Sequence, residues 1–270
     1  MMSFKSYSFV FGISFLLGTP IGLAQTVVSY PDNSTNVEGF LQNGIPPINQ
    51  VWTPDTYEKA FEVLFKIYEL DKYSMPRYQS QASAPVFARL VAAENFDYLL
   101  DSNYTLKDRV VALERYAYLP DRLLAIYAEK TANYERFGGE VLEILRLTAR
   151  LTSHAVLLLN ELKSSIGKQA DTDGFKEGYN NILKAHESAV ASIINIFENS
   201  KERYPALALE DFSCTMLVFI PEVWPQLKAS DREALWSRIE ILSKDYPQKK
   251  IRKRLRKLRK DLKKMDKKLT

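Results

Sequence analysis

Cysteine is almost absent. The chain of 270 residues contains one, Cys214, so no intramolecular disulfide can form. Folding must rest on packing. Cys214 lies in the apolar stretch FSCTMLVFI and is expected to be a buried, inert thiol. Histidine is nearly as scarce, with only His154 and His186. The sequence also lacks G-x-S-x-G, G-x-x-x-x-G-K-[ST], G-x-G-x-x-G and H-E-x-x-H. These absences remove the common signatures of α/β-hydrolases, P-loop enzymes, dinucleotide-binding enzymes and zinc proteases. Period-2 apolar alternation bounded by hairpin turns is missing too, which argues against strands.

The first residues, MMSFKSYSFVFGISFLLGTPIGLAQT, follow a three-part pattern. Lys5 precedes an apolar run from Phe9 to Leu17, Pro20 interrupts it, and Gly22-Leu23-Ala24 offers small residues for cleavage. This is the layout of a secretory signal peptide cut after Ala24. The apolar run falls short of the ~20 residues that cross a bilayer. A secreted or periplasmic protein is expected, and the periplasm suits a chain without disulfides. Residues 25–52, rich in Pro, Asn and Gly, read as an irregular leader. Residues 53–248 read as an all-helical domain, and 249–270 as a basic amphipathic C-terminal helix.

The helical reading rests on periodicity and stop signals. Thr53 and Pro54 open a segment in which Tyr57, Phe61, Leu64 and Tyr68 share one face. Ser83 and Pro85 repeat that opening, and Pro120 separates two further segments. Gly138-Gly139 marks a break. Two long helices follow, over about 140–167 and 174–204, the first near 43 Å at 1.5 Å per residue. The short link at 168–172 makes them an antiparallel hairpin. Their broad apolar faces predict that other helices surround them. Ser230 and Glu233 have the spacing of a capping box for a later helix. The fold class is therefore all-α, a multi-helix bundle on a long hairpin. An irregular α-solenoid of helix pairs ranks second, because no fixed-period motif recurs.

Charge is divided unevenly. Residues 249–270 hold 13 Lys/Arg and 2 Asp, while 25–248 hold 23 basic and 31 acidic residues. An acidic body thus carries a tail of net charge +11. Within that tail Ile251, Leu255, Leu258, Leu262, Met265 and Leu269 repeat at spacings of 4, 3, 4, 3 and 4. This heptad seam, the pattern of a coiled coil, demands a partner surface. Leu235, Ile239 and Leu242 of the preceding segment supply a matching stripe, so docking on the chain itself is favoured. An anionic membrane surface or an acidic protein is the further partner expected for the basic face. Its contact residues would be Lys249, Lys250, Arg252, Lys253, Arg254, Arg256, Lys257, Arg259, Lys260, Lys263 and Lys264. Nucleic acid is the weakest choice for an exported protein.

One enzymatic alternative remains. His154 and His186 stand equally far from residue 170 on the two hairpin arms, and both continue apolar stripes. Facing inward, they could meet with Glu161 or Glu187 as a metal-dependent or hydrolytic site. Against it, neither follows a Glu by three residues, the spacing of bundle di-iron sites. A set of tyrosines (73, 78, 98, 104, 116, 118, 127, 134) could line a groove, though helix-face packing is the commoner role. No cofactor is expected, and the favoured reading is a non-enzymatic binding or structural protein.

Overall fold

The computed structural model describes residues 53–70, 75–78, 80–81, 83–128, 132–167, 173–199 and 204–269. The expected signal peptide, the leader and the hairpin link lie outside these residues. The described part is all-α, without strands, and falls into two compact units divided between Tyr98 and Leu99.

The first unit contains α1 (Pro54–Leu70) and α2 (Ala84–Leu90), followed by a 3-10 helix that starts at Ala93. The predicted cap forms: the Thr56 amide donates to Thr53 Oγ1 at 3.3 Å. Ser83 departs from expectation. It precedes α2 without a side-chain cap bond, and its hydroxyl accepts from the Arg77 amide at 2.9 Å instead. Tyr57, Phe61 and Leu64 are fully buried. The Tyr57 hydroxyl donates to the Leu90 carbonyl at 2.7 Å, and Asn95 Nδ2 donates to that hydroxyl at 2.8 Å. Burial pushes the Tyr57 phenol well above its ordinary range.

The second unit holds α3 (Leu106–Tyr116), α4 (Leu119–Ala128), α5 (Ala132–Ile166), α6 (Asp173–Asn199), α7 (Ala206–Val223), α8 (Ala229–Asp245) and α9 (Lys249–Leu269). A 3-10 turn, Trp224–Gln226, joins α7 to α8. The predicted break at Gly138-Gly139 appears one residue earlier, as a single non-helical residue, Phe137, inside α5. Gly167 ends that helix at φ +54°, the left-handed conformation glycine reaches without strain. The capping box does not form. α8 begins at Ala229 with Lys228 at its cap, and Ser230 Oγ bonds Asp231 rather than a backbone amide.

α5 is the hub of this unit and touches α3, α4, α6 and α7. Ile144, Leu147, Leu151 and Leu158 are buried on one side, Leu145 and Leu159 on the next. A helix surrounded in this way makes a bundle; in a solenoid each pair meets only its neighbours. α5 and α6 are level at Asn160 and Tyr179, whose hydroxyl donates to Asn160 Oδ1 at 2.7 Å. At the other end α9 lies against α7 and α8. Ile251, Leu255, Leu258 and Leu262 are buried, Met265 is half-buried and Leu269 is exposed.

A fully buried Leu or Ile contributes about 1.5–3 kcal/mol. Ending the chain at Gln248 removes four of them and uncovers the surfaces of α7 and α8 on which α9 lies. Thermal melting of the truncated chain should fall by many degrees, since about 1 kcal/mol moves a domain of this size by about 2–4 °C. Leu258→Ala alone should lose about 2–5 kcal/mol. A melting curve unchanged by the truncation would mean that the seam does not pack.

Candidate functional site: a docked cationic helix

α9 has little reason to be helical on its own. Lys and Arg recur at i, i+3 and i+4 and repel. Its first turn has Lys249, Lys250 and Arg252 but no acid, against the positive end of the helix dipole. Tertiary contacts offset both effects. Lys250 Nζ lies 2.8 Å from Glu210 Oε1 of α7. Arg254 Nη1 donates to the Glu210 carbonyl at 3.1 Å and to Ser213 Oγ at 2.7 Å. On the other flank Arg256 Nε donates to the Ser243 carbonyl at 3.0 Å. Arg259 Nη1 stands 3.6 Å from Glu240 Oε1 of α8. Near the far end Asp266 Oδ1 accepts from Trp224 Nε1 at 3.0 Å and lies 3.1 Å from Arg232 Nε. The exposed pairs are worth only about 0–1 kcal/mol each; they set register while the seam supplies the energy.

The contacts divide the cations by type. Three of the four arginines of α9, namely Arg254, Arg256 and Arg259, bond to α7 or α8. Lys249, Lys253, Lys257, Lys260, Lys263, Lys264, Lys267 and Lys268 are exposed. None of these eight forms a salt bridge among the described residues. The sequence anticipated eleven contact residues without distinguishing them. Lys250, Arg254, Arg256 and Arg259 in fact serve docking, and the open face is lysine.

The two histidines have different surroundings. His154 is half-buried and its Nδ1 lies 2.9 Å from the Arg150 carbonyl of its own helix. His186 is fully buried, edge-on to Phe219 at 6.3 Å. Neither of its ring nitrogens has a hydrogen-bond partner among the described residues, and burial pushes its pKa down to about 4. The Arg150 guanidinium covers the same Phe219 ring at 5.2 Å and pairs with Glu222 at 3.0 Å. Glu161 is bound by Arg109 through two bonds of 2.8 and 2.5 Å, which hold its carboxyl below the usual range. Glu187 is pushed up, first by burial and then by the Asp231 carboxyl bonded to it. Among the described residues, no three His, Cys, Asp or Glu side chains gather as metal ligands.

A further expectation changes. Cys214 is exposed, not buried. α7 buries Phe212, Ser213, Met216, Phe219 and Ile220, which turns Leu207, Asp211, Cys214 and Val218 outward at spacings of 4, 3 and 4. Apolar composition all round concealed which face would be open. The tyrosines are divided between core and surface. Tyr116 and Tyr127 are core residues and Tyr118 is exposed, while nothing is described of the Tyr73 and Tyr134 side chains.

No helix among the described residues is long and apolar enough to cross a membrane. No family model, curated protein or solved structure matches the chain.

His186 generates a pH prediction. Its ordinary pKa is 6.5 and its folded value about 4. As pH falls through that window the unfolded chain binds a proton that the folded chain refuses. Stability is therefore lost between pH 6.5 and 4, by roughly 3 kcal/mol from this group. In His186→Leu that component should vanish, leaving a shallower decline in urea melts from pH 7 to 4. Equal declines in the two proteins would refute the buried neutral imidazole.

Proposed function

We propose that the protein is a non-enzymatic binding protein, secreted or periplasmic, whose working surface is the cationic face of α9. One observation carries this reading: a buried apolar seam holds the helix so that eight unpaired lysines project from a fixed frame. A rigid array presents its charges together, so a polyanionic partner meets them without the cost of ordering the helix. The acidic body adds contrast: residues 25–248 hold 31 acids against 23 bases, while 249–270 hold 13 bases against 2 acids. The apolar setting of His186 and the commitment of Glu161 to Arg109 also favour a binder over an enzyme.

The test uses a soluble polyanion, poly-glutamate, titrated into the full chain at low and at physiological salt. Affinity should fall as salt rises, since exposed charges are screened over about 8 Å at 0.15 M. Replacing Lys249, Lys253, Lys260 and Lys264 together by Gln, a good helix former, should weaken binding at least tenfold with little change in melting. A variant that binds as tightly as the natural chain would eliminate α9 as the working surface.

A further inference from the structure

The lysine face has an apolar neighbour. Lys250 and Arg254 at the start of α9 meet Glu210 and Ser213 near the start of α7. Asp266 at the other end meets Trp224, just past the end of α7. The two helices therefore run parallel and in register. Lys257 and Lys264, one and two heptads beyond Lys250, continue the flank that borders α7. On α7 the outward stripe lies about 40–120° around the axis from Glu210, at about 100° per residue. Two of its side chains are large, apolar and well exposed, Leu207 at 69% and Val218 at 60%. Asp211 and Glu222 are the acids of this stripe, and Glu222 is paired with Arg150.

We infer that α9 and the outer edge of α7 together form a surface that adsorbs to an anionic lipid bilayer at headgroup depth. The inference rests on the reading of α9 as the binding face and names its partner. Three features select lipid from among polyanions. First, the outward cations are lysines and the docking cations are mostly arginines. Arginine provides directional, two-pronged recognition of a carboxylate in a protein partner; lysine is a compact point charge that needs no fixed acceptor geometry. Mobile headgroups suit the second. Second, the face is long, about 30 Å for 21 residues of helix, with Asp261 the acid beside Lys257 and Lys264. Third, Leu207 and Val218 stand beside the charges, where an apolar headgroup boundary would cover them. The seam of α9 is spent inside the protein, so the contact is shallow and electrostatic, without insertion of the helix.

The sole cysteine makes the test direct. Cys214 lies on the same stripe, between Leu207 and Val218, and takes an environment-sensitive fluorophore at one defined position. The labelled full chain is mixed with phosphatidylcholine vesicles, with and without phosphatidylserine, and with poly-glutamate. Binding to the phosphatidylserine vesicles is expected, weakening as salt rises, with a blue shift of the Cys214 probe. The four-lysine variant should lose at least tenfold in vesicle affinity, at about fivefold per lysine near an anionic surface. Leu207→Ser with Val218→Ser should weaken vesicle binding and leave poly-glutamate binding unchanged. Equal binding to vesicles without phosphatidylserine, or binding without a probe shift, would overturn the inference. Binding of poly-glutamate but not vesicles would point to an acidic protein and sink the lipid surface while keeping the cationic reading. Failure to bind either would remove both.

Discussion

The burial of one narrow apolar seam decides what the rest of this molecule can do. Ile251, Leu255, Leu258 and Leu262 are covered by α7 and α8. Without that cover, α9 is a run of like charges whose first turn opposes its own dipole. With it, the same charges are carried on a helix anchored along most of its length. The seam is apolar and therefore non-directional. The choice of rotation and register falls to the polar contacts at its margins, Glu210 and Ser213 on one side, Ser243 and Glu240 on the other, with Asp266 near the end.

Those margins explain why the arginines and lysines separate. A position beside the seam looks along a neighbouring helix toward carbonyls, hydroxyls and carboxylates. A guanidinium offers several planar donors and reaches more than one of them, as Arg254 does with the Glu210 carbonyl and Ser213. A position opposite the seam looks into solvent, where an ammonium is well hydrated and long side chains spread apart. The division of residue types thus follows the geometry of one helix resting on two others.

Much of this was legible in the sequence because it depends on local spacing. The 4-3-4-3-4 repeat specified the seam, and α8, the preceding helix, is one of the two helices it packs against. The other, α7, was not legible, because a helix with apolar residues over most of its circumference gives no phase. The same cause put Cys214 in the core on paper and on the surface in the fold. Glu161 was one of two carboxylates considered beside the histidine pair; its partner, Arg109, lies 52 positions away in the chain, and no local pattern announces such a pair. Counting along the hairpin assigned His186 to a buried face, as observed. It could not say that His154 would satisfy Nδ1 on its own helix at Arg150. Ser230 and Glu233 have capping-box spacing, yet the cap of α8 falls two residues earlier, at Lys228, which shows how finely a cap depends on the turn before it.

The division of labour within α9 also separates stability from binding. Docking rests on apolar area, which salt leaves intact or strengthens. The lysine face acts through exposed charge, which salt screens within about 8 Å at physiological strength. On the proposed reading, added salt would release an anionic surface while α9 stays folded in place. Had the seam itself been the binding element, the helix would have to leave α7 and α8 first, exposing Ile251, Leu255, Leu258 and Leu262 to water at each event. With the apolar stripe inside and the charges outside, the proposed adsorption would need no change of fold.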